Sequence, residues 1–98
     1  MSNRLKKEDK VAEFYLQIDN LFLKMGLFKK VVINDRVNYV YKNHFYRIDY
    51  VSTLGFIIQY TDSFSKANRN IYEDSVPYPI SLGSKLIETI QQDIQEVI

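Results

Sequence analysis

Between Val11 and Met25 the apolar side chains fall at Val11, Phe14, Tyr15, Ile18, Leu21, Phe22 and Met25. Spacings of three and four residues put them on one stripe of a helix, predicted from about Glu8 to Met25. Lys10, Glu13, Gln17 and Lys24 fall elsewhere on the cylinder, and Gly26 suits a left-handed C-cap. At Phe28 the period changes to two. Strands are predicted at Phe28–Ile33, Val37–Tyr41, His44–Val51 and Phe56–Tyr60. Asn34-Asp35 makes a plausible two-residue turn, because both residues tolerate positive φ. Lys42-Asn43 and Ser52–Gly55 supply the next two turns. Short consecutive connections imply an antiparallel meander with helices covering one face.

After Thr61, Asp62 is a candidate N-cap for a short helix from Ser63 to about Tyr72. Ile71–Asp74 and Pro77-Tyr78-Pro79 read as an irregular loop, since two prolines one residue apart forbid regular helix. The last helix is predicted from about Ser84 to the end. Its stripe is Leu86, Ile87, Ile90, Ile94 and Val97 or Ile98, and Ser84 is placed to cap it. The expected fold is therefore one α+β domain over residues 1–98. It has an N-terminal helix, a four-stranded antiparallel meander, a short helix and a C-terminal helix, with the helices packed on one sheet face.

Composition changes this picture little. The 98 residues fit a single domain that buries roughly two-thirds of its unfolded surface. With no cysteine there is no disulfide, zinc thiolate site or thiol catalysis, which fits a reducing cytoplasm. The polar start, Met1 to Lys10, lacks the apolar core of a signal peptide. No apolar run reaches the roughly 20 residues that span a bilayer. The sequence thus predicts an unprocessed cytoplasmic protein away from membranes. Net charge is +1, but residues 1–55 carry ten Lys/Arg against six Asp/Glu and residues 56–98 three against six, so the halves are +4 and −3. Ordinary surface variation and a polarised surface that steers a partner both fit this asymmetry. Eight tyrosines and six phenylalanines suit either strands or an interface.

Chemistry finds few footholds. His44 is the single histidine and stands at a strand start. No metal is expected, since a site needs several convergent ligands and Asp62, Glu73 and Asp74 match no calcium loop. The six serines from Ser52 to Ser84 lie in turns or caps with no nucleophile elbow. Gly26, Gly55 and Gly83 are too scattered for a phosphate loop, so no cofactor is expected. The reading is of a protein that is not an enzyme. Arg4, Lys6, Lys7 and Lys10, with Lys29, Lys30, Arg36, Lys42 and Arg47 near tyrosine-rich strands, raise a second possibility. That alternative is a nucleic-acid-binding accessory domain using a Tyr/Lys-rich sheet face. No ribonucleoprotein aromatic motif accompanies these residues, and acidic groups dilute the field.

Asn70-Ile71-Tyr72-Glu73-Asp74, then Tyr78-Pro79-Ile80, then Leu86-Ile87-Glu88-Thr89-Ile90-Gln91-Gln92-Asp93-Ile94 form a recognisable succession. An aromatic-Glu-Asp step precedes a terminal helix of Leu-Ile-x-x-Ile-x-x-Asp character. Over the last third of the chain this resembles the small α+β immunity proteins of bacterial polymorphic toxin systems. The resemblance implies a binding protein that neutralises a cognate toxin through a specific, electrostatically steered interface. Asp62, Tyr72, Glu73, Asp74 and Tyr78 are the candidate partner-binding residues, although a solvated turn and an anchored loop explain the same side chains. The expected partner is a protein. A tyrosine-rich edge strand is also able to support a homodimer, though nothing in the sequence requires one.

Overall fold

The computed structural model describes residues 3–97, with side chains from Asp9 onward. Helix α1 (Asn3–Lys24) leads into five strands: β1 (Lys29–Ile33), β2 (Arg36–Tyr41), β3 (His44–Val51), β4 (Gly55–Thr61) and β5 (Asp74–Tyr78). A short helix α2 (Phe64–Asn68) lies between β4 and β5. A 3₁₀ turn (Ile80–Leu82) precedes α3 (Lys85–Val97). The strands form one antiparallel sheet in the order β1-β2-β3-β4-β5.

The strand alternation decides where the core sits. Tyr39 pairs with Tyr46, Tyr46 with Tyr60, Ile48 with Ile58 and Phe56 with Tyr78, so these side chains share one face. Helices α1 and α3 cover it. Ile18 and Phe22 from α1 and Leu86, Ile90 and Ile94 from α3 are buried against Phe28, Tyr39, Tyr46, Ile48, Phe56, Ile58 and Tyr78. Phe22 stacks on Tyr39 at 4.5 Å between ring centroids and meets Phe28 edge-on at 5.1 Å. The apolar stripes of both helices thus find the partner that their spacing demands. Asp19 ties α1 to the sheet. Its Oδ1 accepts from the Tyr39 hydroxyl and lies 2.8 Å from Lys30 Nζ.

Four expectations are corrected. The sheet has five strands rather than four, because Asp74–Tyr78 pairs with β4, Tyr60 opposite Asp74 and Phe56 opposite Tyr78. Pro77 is accommodated because β5 is an edge strand, where a proline's missing N–H can face away from the ladder. The short helix lies on the sheet face opposite α1 and α3. Ala67 packs there with Ile33, Phe45, Val40 and Tyr72, and Asn34 Nδ2 donates to Asn68 O at 2.7 Å. Its N-cap is Ser63 rather than Asp62, with Ser63 Oγ accepting from Lys66 N at 3.3 Å. Helix α2 ends at Asn68 instead of Tyr72, and Asn70 then takes positive φ (58°).

The sheet turns behave as their residues require. Asn34 and Asp35 both adopt positive φ, 49° and 63°. Gly55 has φ 92°, and a Cβ there would sit 2.4 Å from Tyr78 O, so only glycine lets β4 begin beside the end of β5. The tyrosine face has a consequence for the nucleic-acid alternative. Tyr39 and Tyr46 lie beneath α1 and α3 and offer no open platform for base stacking. The side chains of Arg4, Lys6 and Lys7, and Ile98 of the last stripe, lie outside the described residues. No helix is long and apolar enough to cross a membrane among the described residues.

Candidate functional site: an acidic, tyrosine-lined cavity

Where α3 passes over β3, β4 and β5, it leaves a cavity of about 410 Å³. The sheet supplies Tyr46, Tyr60 and Tyr78, which share the helix face: Tyr46 pairs with Tyr60, Tyr60 with Asp74, and Tyr78 stands four residues further along β5. The rim supplies carboxylates. Asp74 comes from the start of β5, and Asp93 and Glu96 from one side of α3, three residues apart. No lysine, arginine or histidine lines the cavity among the described residues.

The hydroxyls are in different states. Tyr78 donates to Asp93 Oδ2 at 2.6 Å, which locks the last turn of β5 to α3. Tyr60 shares a 2.7 Å hydrogen bond with His44 Nδ1. The Tyr46 hydroxyl is buried and has no hydrogen-bond partner among the described residues, although the Tyr60 ring tilts against its own at 4.9 Å. Burial first, then nearby carboxylates, push all three phenols up from their ordinary pKa. Tyr78 feels Asp93, Tyr46 feels Tyr60 and Asp74, and Tyr60 feels Asp62, Asp74 and Glu73. At neutral pH the three rings are therefore neutral polar surfaces in a negative field. Neutral hydroxyls and unneutralised carboxylates together suit recognition of a cation bearing N–H donors.

The five sequence-predicted residues fall in different places. Asp74 and Tyr78 line this cavity. Asp62 is exposed just past β4 and adds to the negative field at Tyr60. Glu73 is exposed, but its Oε1 accepts from Lys66 Nζ at 2.9 Å and from Thr61 Oγ1 at 3.0 Å, and these contacts hold its carboxyl below the usual range. It closes the segment that carries α2. Tyr72 points to the opposite sheet face, where its hydroxyl donates to Asn38 Oδ1 at 2.6 Å.

Sequence reasoning missed Tyr46, Tyr60, Asp93 and Glu96. A usable signal was present, since Asp93 and Glu96 flank the apolar Ile90–Ile94 stripe and so face the sheet's margin. A larger groove of about 910 Å³ separates α1 from α3, lined by Gln17, Lys24, Gln91 and Gln95 around Leu21 and Ile87. Among the described residues it brings no carboxylate or imidazole together and offers a ligand amides, the Ser84 hydroxyl and one ammonium. Among the described residues no three His, Asp or Glu side chains converge as metal ligands. Comparison with family models, curated proteins and solved structures finds no match to this chain.

Proposed function

We propose that this chain is a protein-capturing domain that neutralises a bacterial toxin by seating a basic side chain of that toxin in the acidic tyrosine cavity. The observation that carries the reading is the meeting of Asp74, Asp93 and Glu96 around three neutral tyrosines, with no cation of the chain's own among the lining residues. A lysine or arginine entering the cavity gains charge-assisted hydrogen bonds and an aromatic wall, the two ingredients of an interface hot spot. The charge asymmetry along the chain supports the same reading. Residues 56–98, which include β4, β5 and α3, carry the net −3, so a basic partner is steered toward this edge. The resemblance of the Asn70–Ile94 succession to immunity proteins points to a toxin as that partner.

The test is co-expression with the product of the gene directly upstream of this chain's own, which this reading expects to be a toxin. The unaltered chain is expected to restore growth. Asp74→Lys combined with Glu96→Lys is expected to abolish protection while the circular dichroism spectrum and urea midpoint stay near those of the parent, because both side chains are exposed. Glu73→Lys, outside the cavity, is expected to retain protection. Full protection by the double variant would refute this site, and failure of the parent chain to protect would refute the function.

A further inference from the structure

The two edges of the sheet are unlike. Strand β5 carries Pro77, with exposed Asp74 and Ser75, features that discourage another strand from pairing. Strand β1 has no proline, and of its two lysines Lys30 is paired with Asp19 on the helix face, which leaves only Lys29 at its start as a free charge among the described residues. Its sequence is Lys-Lys-Val-Val-Ile, and Val31 and Val32 are 40% and 67% exposed. A free edge rich in β-branched residues is a template for a further strand.

The backbone settles which groups that edge offers. Asn34 and Asp35 form a two-residue turn closed by the pair Ile33–Arg36, which exchanges both backbone hydrogen bonds. Alternation from that pair directs the N–H and C=O groups of Lys29, Val31 and Ile33 toward β2. Those of Lys30 and Val32 face outward, unpaired.

We propose that β1 pairs with β1 of a second copy of this chain, antiparallel, about a two-fold axis through Val31. In this register Lys30 of one copy lies opposite Val32 of the other and each such pair exchanges two backbone hydrogen bonds. Val31 faces Val31, and Lys29 faces Ile33. The whole of β1 is used and no lysine opposes a lysine. Centring on Lys30 would set like charges face to face. Centring on Val32 would ask Asn34 and Asp35, fixed at positive φ, to act as strand. The antiparallel direction also carries the lysine-bearing start of each strand toward the Asp35 turn of the other.

The helix layer agrees with the same axis. The 2.8 Å contact between Asp19 and Lys30 fixes one side of α1 over β1. Leu16 and Leu23, three residues before and four after Asp19, lie along that side and are 60% and 42% exposed. A two-fold through Val31 runs the two α1 helices antiparallel and brings Leu16 of one copy toward Leu23 of the other, above Val32. The dimer is a continuous ten-stranded sheet, twice the five strands of one copy. Its two acidic cavities sit at the far edges, so this inference stands or falls apart from the proposed function.

The chain has no cysteine, so a single introduced thiol can form a disulfide only between copies. Directly opposed residues of a non-hydrogen-bonded pair have Cα atoms about 4.5 Å apart, within disulfide reach. Under mild oxidation Val31→Cys is expected to give a covalent dimer, whereas Lys30→Cys stays uncrosslinked. The unaltered chain is expected to sediment at twice its 11.6 kDa mass at about 0.1 mM, where micromolar contacts are saturated. Val32→Lys is expected to weaken association at least tenfold with an unchanged circular dichroism spectrum. A monomer at that concentration, or crosslinking through Lys30→Cys and not Val31→Cys, overturns the proposal.

Discussion

Asn38 and Tyr72 show how a single pair can hold two layers together. Asn38 is fully buried in β2, its Nδ2 donating to Arg36 O at 3.3 Å and its Oδ1 accepting from Tyr72. Removing the tyrosine hydroxyl leaves the amide oxygen dry and unpaired. Tyr72→Phe is therefore expected to lower stability by about 1–2 kcal/mol, read as a lower urea midpoint with an unchanged slope. Partner capture by the folded protein is expected to stay at the parent level. An unaltered midpoint accompanied by lost capture would return Tyr72 to the interface. Asp74 and Tyr78 could be picked from sequence because a proline-flanked acidic stretch with aromatics stands out locally. Tyr46 could not, since strand alternation marks it as core and says nothing about its hydroxyl. Asp93 and Glu96 flank the Ile90–Ile94 stripe in sequence, but only the passage of α3 over β5 shows which residues of the sheet they meet.

At the scale of elements, α1 is fastened to the sheet by a charged clasp as well as by aromatic packing. Burial pushes the Asp19 carboxyl up. Hydrogen bonds from Lys30 and Tyr39 and the Lys30 charge outweigh that, and the net shift is downward. A carboxyl depressed in the folded state contributes stability above its unfolded pKa and loses it as pH falls through the folded one. The clasp is thus expected to be intact at neutral pH and to fail below about pH 4. Asp19→Asn should cost about 1–2 kcal/mol at pH 7 and flatten the acid limb of the stability curve, measured by urea midpoints from neutral to acid pH. A parallel acid limb in the variant would show that other carboxylates govern it. The elements themselves were legible where period was strong. Strands β1 to β4 and the stripes of α1 and α3 announce themselves, and the Asn34-Asp35 turn follows from two residues that accept positive φ. Strand β5 was hidden because Asp74-Ser75 at its start reads as a turn and because Pro77 argues against a strand anywhere except an edge. The side of the sheet taken by α2 was hidden too, since a five-residue helix with one buried alanine carries almost no stripe.

The whole molecule is organised around phenols held out of water. Tyr39, Tyr46 and Tyr78 are buried between sheet and helices, and Tyr60 is partly so. Burial leads, and adjoining carboxylates add, in raising all four pKa values. The sign follows from which state holds its protons longer. A tyrosine whose folded pKa is raised keeps its proton in the fold after the unfolded chain has released its own. The stability it contributes is complete below the unfolded value near 10 and is lost as pH rises toward the folded one. Because the three buried rings come from β2, β3 and β5, ionising any of them forces charge into a core shared by sheet and helices. The fold is therefore expected to hold a flat stability plateau through neutral pH and to unfold cooperatively above about pH 10. The last, cooperative part of the rise in tyrosinate absorbance should coincide with loss of the far-ultraviolet helix signal. Tyr60, half-exposed on the cavity wall and bonded to His44, should be the first of the four to ionise. Tyr60→Phe is expected to remove the earliest part of the absorbance rise while leaving the cooperative step in place. Ionisation of all eight tyrosines before any loss of helix would mean that the buried rings reach water without unfolding, and that the core is looser than its packing implies.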